Sequence, residues 1–99
     1  DQGGVKLGYL ALEKSLESRA ESPLWLNRFN ERQQFWIAYA QSWCSKETIE
    51  SLRQQMTTDS HPPAEFRVNE VMMNRPEFAR DFHCAENTKM APVNRCSLW

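Results

Sequence analysis

His61 stands two residues after Asp59 and six before Arg67, so a short stretch of chain can gather a carboxylate, an imidazole and a guanidinium. Asp59 can hold the His61 ring and favour its charged form, a donor able to stabilise a developing oxyanion. Arg67 can anchor a carbonyl or carboxylate of a ligand through its fork of donors. The same residues also suit an exposed loop histidine beside a surface ion pair, and spacing alone leaves both readings open. His83, next to Cys84, closes a short amphipathic segment and reads as a helix-terminal imidazole near the negative end of a dipole. Cys44, Cys84 and Cys96 offer thiols, but none carries a local nucleophile signature and no Cys-x-x-Cys pair exists to share a metal. The His-Glu-x-x-His motif of hydrolytic zinc sites is absent, as is any other histidine pair at i, i+4. The expectation is that no metal is bound by this chain's own residues.

The chain has 99 residues, the scale of one small domain, and 40% apolar content sets it apart from a disordered polyelectrolyte. Twelve basic residues against thirteen acidic ones leave a net charge of -1, so no basic excess favours nucleic acid. No apolar run approaches the roughly 18 residues of a membrane span. The opening Asp1-Gln2-Gly3-Gly4 has neither an initiator methionine nor the form of a signal peptide, which predicts a chain processed or excised from something longer. An odd cysteine count fits either a bond that leaves the chain or reduced, buried thiols.

Helices must position these groups. Val5, Tyr9, Leu12 and Leu16 form one stripe, predicting a helix from about Gly4 to Arg19, which Pro23 stops. Leu24, Trp25, Leu26 and Phe29 read as a packed connector. Asn30 and Gln33 have the form of a capping box, and Phe35, Trp36, Tyr39, Ala40 and Trp43 give the following helix, Glu31 to about Cys44, a wide aromatic face. Such a face suits the centre of something bigger. Ser45 can cap a third helix ending near Thr57, with Ile49, Leu52 and Met56 on its buried side. Two prolines make Asp59 to Pro63 a rigid loop. Phe66 to Asn74 reads as a short helix, and Asn74 with Glu77 as a second capping box for a segment ending near Cys84, with Phe78, Ala79 and Phe82 inward. Met72 and Met73 read as core filler. The last fifteen residues look irregular, and no strand alternation occurs, so the class is all-α with an irregular C-terminal tail.

Taken together, several segments resemble the C-terminal end of the neprilysin and endothelin-converting-enzyme family of zinc metalloendopeptidases. They are Asp1-x-Gly3-Gly4, the run Phe35-Trp36-x-x-Tyr39-Ala40-Gln41-x-Trp43-Cys44, Asp59-x-His61-x-Pro63 with Phe66-Arg67, Phe78 through Phe82-His83-Cys84, and Cys96-x-x-Trp99, in the family's order across essentially the whole chain. One departure is Pro62-Pro63-Ala64-Glu65, where relatives often carry a glycine.

The resemblance implies that residues 1–99 form the C-terminal part of the catalytic domain of a larger, mainly helical peptidase. In the family pattern Glu-x-x-Ala-Asp-x-Gly-Gly, the Glu binds zinc and the Asp orients a zinc-binding histidine. Asp1 matches that Asp, so the zinc ligands and the general base lie upstream and this chain alone is expected to be inactive. His61 would stabilise the transition state with Asp59 as its partner, and Arg67 would clamp a backbone carbonyl of a peptide substrate. Cys44, Cys84 and Cys96 would each pair with upstream cysteines in an extracellular or periplasmic setting, possible also for the ectodomain of a membrane-anchored parent. The partners implied are the upstream part of the same peptidase and a peptide, with no nucleic acid. Two other readings stand beside this one. The first is a small all-α interaction module without catalytic activity, binding a partner through the aromatic helix face. The second is a processed fragment held to the rest of the enzyme by disulfides.

Overall fold

Trp36 is 1% exposed, and four of the five described helices supply the apolar side chains packed around it. The structure, a computed structural model, describes residues 1–20 and 28–96. Pro23, the connector residues Leu24, Trp25 and Leu26, and the terminal Trp99 lie outside the described residues. Helix α1 (Gln2–Glu17) buries Val5, Tyr9 and Leu16 on the stripe read from the sequence. Its N-cap is Asp1, whose side chain makes no capping bond and is committed elsewhere.

Helix α2 (Glu31–Ser42) starts at the expected capping box, with Gln33 N donating to Asn30 Oδ1 at 2.9 Å and Asn30 N to Gln33 Oε1 at 3.1 Å. Its aromatic face packs inward: the Trp36 ring stacks on Tyr9 with centroids 5.0 Å apart, and Phe35 meets Tyr9 edge-on at 5.4 Å. Phe78, from α5 (Pro76–Asp81), meets Trp36 edge-on at 5.7 Å. These are the offset and edge-to-face arrangements that ring quadrupoles favour. The α2 face is therefore core, contrary to the reading of it as a surface for a partner.

Helix α3 (Ile49–Thr58) starts later than expected, because Thr48 rather than Ser45 is its N-cap. Thr48 has the extended backbone an N-cap needs, and its hydroxyl accepts from Ser51 N at 3.2 Å. Its apolar stripe is not buried: Ile49 is 65% and Met56 69% exposed, and Leu52 is exposed too. Helical periodicity specifies which face is apolar, whereas burial needs a neighbour, and no described element covers this one. Helix α4 (Ala64–Met73) starts two residues before the predicted Phe66; Val71 and Met72 face the core and Phe66 faces out.

The second capping box does not form. Asn74 ends α4 in helical conformation (φ -79°, ψ -6°), which an N-cap cannot have. Pro76 occupies the first turn of α5 and Arg75 before it is extended (φ -102°, ψ 111°), as a residue preceding proline is driven to be, so Arg75 becomes the cap. The Asn74 amide is used instead to tie down the tail: its Oδ1 accepts from Cys96 N at 2.9 Å. Apart from an isolated bridge between Thr88 and Ala91, the described tail is irregular, and the described architecture is all-α.

Candidate functional site

Asp59 caps the C-terminus of α3, and the two prolines after His61 prevent the chain from resuming a helix at once. The loop therefore closes on itself: Asp59 Oδ1 accepts from His61 N at 2.9 Å and lies 3.0 Å from His61 Nδ1. Because a carboxylate only accepts, Nδ1 carries the proton in this contact and the opposite ring nitrogen, Nε2, is left for another partner. The His61 side chain is 64% exposed.

The His61 backbone N–H, and after it the His61 ring, hold the Asp59 carboxyl below the ordinary carboxylate value. A depressed folded-state pKa means that the loop contact is complete above the usual carboxylate pKa and is lost as pH falls through the lower, folded value. We expect the His61 amide resonance to titrate with a midpoint below that of an unperturbed aspartate. A midpoint at or above the ordinary value would contradict the contact.

Arg67 lies in the first turns of α4, across a cleft of about 270 Å³ that is also lined by His61, Asp59, Trp43, Glu47 and Gln55. Its guanidinium forks onto Asp1, with Nε donating to Oδ2 at 2.7 Å and Nη2 to Oδ1 at 2.9 Å. Its central carbon Cζ lies over the Trp43 ring, 3.8 Å from the centroid. The Tyr39 hydroxyl donates to the Arg67 carbonyl at 2.8 Å. Each hold suits a different property of the residue: a planar fork matches a carboxylate, and a delocalised cation stacks on an indole. The fork uses Nε and Nη2 and leaves Nη1 outside it.

His61, Asp59 and Arg67 thus share one cleft, and Asp1 joins them through Arg67. Cys44 lies on the cleft wall, Cys84 lines a separate hollow of about 610 Å³ beside α5, and Cys96 lies by the turn between α4 and α5. All three are free thiols in the structure. His83 is exposed, with φ at 52°, just past the end of α5. Among the described residues no group of three or more His, Cys, Asp or Glu is gathered to hold a metal ion. Asp1 fits a supporting place beside such a site: after the fork each oxygen keeps a lone pair, and its side chain is a quarter exposed.

Besides the Asp1–Arg67 fork, two features were not legible in the sequence. The first is the holding of Arg67 by Tyr39 and Trp43, which the aromatic stripe hides among core residues; the only signal is that a buried tyrosine hydroxyl usually needs a partner. The second is Asp81, the last residue of α5, whose side chain is 2% exposed. Its Oδ2 accepts from Tyr9 OH at 2.7 Å and Trp36 Nε1 at 2.8 Å, and its Oδ1 from Arg80 Nε at 3.1 Å and Nη2 at 3.0 Å. Burial and then the bond to Asp81 push the Tyr9 phenol well above its ordinary value, keeping it a donor.

A family model described as Peptidase family M13 matches residues 1–98. Neprilysin-2 of Drosophila melanogaster is 42% identical over 100 residues, covering 100% of this chain and 13% of that protein. Endothelin-converting enzyme-like 1 of Rattus norvegicus is 41% identical over the same length, with the same coverage. Among solved structures, the Haemonchus galactose containing glycoprotein complex superposes with a TM-score of 0.84 at 37% identity, over 99% of this chain and 18% of that one. The chain therefore spans about an eighth of the length of the curated relatives it matches.

Proposed function

We propose that this chain, which belongs to peptidase family M13, is the C-terminal part of the catalytic domain of a larger zinc metalloendopeptidase that hydrolyses peptide bonds outside the cytoplasm. The observation that carries the reading is the shared cleft, lined both by an imidazole held at Nδ1 by one carboxylate and by a guanidinium held by a second. Residues upstream of this chain hold the zinc, which when bound supplies Lewis-acid polarisation of a carbonyl and a water of lowered pKa.

The residues of this chain do the rest of the positioning. Asp59 orients the His61 ring through Nδ1, and in the imidazolium form, where both ring nitrogens carry a proton, Nε2 donates to the oxygen where negative charge develops. Arg67, already fixed at Nε and Nη2, offers Nη1 to a backbone carbonyl of the peptide, with little rotamer freedom left to lose on binding. Asp1 serves both sides of the site. One set of its lone pairs holds Arg67, and another accepts the N–H of a zinc-binding histidine, fixing that ring's tautomer. Cys44, Cys84 and Cys96 pair with upstream cysteines and tie this piece to the remainder of the enzyme.

We expect the full-length protein to cleave an internally quenched peptide, to lose that activity to a zinc chelator, and to regain it on adding zinc. A full-length, folded, zinc-loaded protein that cleaves no peptide would overturn the reading.

A further inference from the structure

A buried carboxylate is expensive, and apolar replacements of buried ion pairs are often as stable, so the question is what Asp81 provides beyond stability. Its side chain receives donors from α1 (Tyr9) and α2 (Trp36) as well as from its neighbour Arg80. Its backbone carbonyl accepts from Gln33 Nε2 at 2.9 Å, so α2 is gripped at two successive turns. The Tyr9 hydroxyl is gripped twice as well, accepting from Arg80 Nη2 at 2.6 Å while donating to Asp81.

The two helices gripped in this way are the ones that hold Arg67. Helix α1 brings Asp1 to the guanidinium fork, and α2 brings Tyr39 to the Arg67 carbonyl and Trp43 to the guanidinium face. Tyr9 lies eight residues along α1 from Asp1, or about 12 Å at 1.5 Å per residue. A rotation or slide of α1 about that point displaces the Asp1 carboxylate from a fork whose geometry tolerates little error.

We propose that Asp81 is a positioning residue for the peptide-binding cleft: by fixing α1 through Tyr9 and α2 through Trp36, it sets the direction in which Arg67 presents its remaining donors. The proposal rests on the reading of Arg67 as a peptide clamp. Asp81 lies outside the cleft and touches no reacting group; its influence passes through Asp1, Tyr39 and Trp43.

Tyr9→Phe in the full-length enzyme tests this, because it deletes one donor to Asp81 and keeps the ring stack on Trp36. We expect KM for a quenched peptide to rise about fivefold with kcat changed less than about twofold, a coupling of the size that contacting networks show. In an Arg67→Ala background the same change should raise KM less than about twofold, since the group it positions is gone. Val71→Ala, a core change outside the network, should lower Tm and leave KM within about twofold of wild type.

A Tyr9→Phe enzyme with wild-type KM, an equal effect with and without Arg67, or an equal rise in KM from Val71→Ala would each overturn the proposal. Arg67→Ala separates it from the underlying reading. If that enzyme keeps a wild-type KM, the clamp reading fails and takes the proposal with it; if its KM rises while Tyr9→Phe is silent, the proposal fails alone.

Discussion

His61→Ala in the full-length enzyme is expected to lower kcat by about 10²-fold, the scale of losing one donor to a developing oxyanion, with a much smaller change in KM. The expectation follows from the local geometry. Asp59 occupies Nδ1 at 3.0 Å and the ring lines the cleft, so Nε2 is the nitrogen left for a ligand, and it donates when the ring is the imidazolium. The effect falls on kcat because the bond strengthens only as charge accumulates on that oxygen. His61 is exposed and makes no core contact, so the variant should fold as wild type does, and a wild-type kcat would remove His61 from the chemistry.

Arg67→Ala should act mainly on binding, raising KM by about 30-fold, in keeping with hydrogen bonds to a charged group. Arg67→Lys should recover little of the loss. A lysine ammonium cannot make the two parallel bonds to Asp1 while spreading its charge over Trp43, so its charge would be present without its direction. Normal KM and kcat in both variants would take Arg67 out of the site. Full recovery by lysine would mean that charge alone matters there, and the fork onto Asp1 would lose its significance.

Features settled within one or two turns of chain were legible from the residues. The Asn30 and Gln33 capping box forms where the pattern predicts, because both bonds close within four residues. The stripe of α1 and the aromatic face of α2 turn inward because each presents more apolar surface than solvent tolerates. The loop from Asp59 to Pro63 is similarly local: two prolines and an aspartate two residues from a backbone N–H fix its course. The Asn74 and Glu77 box met a competing local rule, since the residue before Pro76 must be extended and moved the helix start past Asn74.

What sequence reading missed depends on contacts between distant segments. Asp1 and Arg67 are 66 residues apart, and nothing near either one announces the other. Asp81 resembles an ordinary acidic residue on a short polar helix until the fold places Tyr9 and Trp36 over it. Ile49, Leu52 and Met56 share one face of α3 as their spacing predicts, but its burial depends on a neighbour that no described part of this chain supplies. The resemblance to M13 peptidases named His61, Asp59, Arg67 and Asp1 as a set. The structure adds how the last two are joined.

The central claim is that His61 and Arg67 complete a site complementary to a peptide undergoing hydrolysis, and the affinity of a peptide phosphonate tests it most directly. Such a molecule carries the tetrahedral, anionic centre of the transition state in place of the scissile carbonyl. In the full-length enzyme its inhibition constant should rise across wild type, His61→Ala and Arg67→Ala in proportion to the fall in kcat/KM. An analogue that binds the His61→Ala enzyme as tightly as wild type, while kcat/KM falls, would contradict the assignment of His61 to the oxyanion.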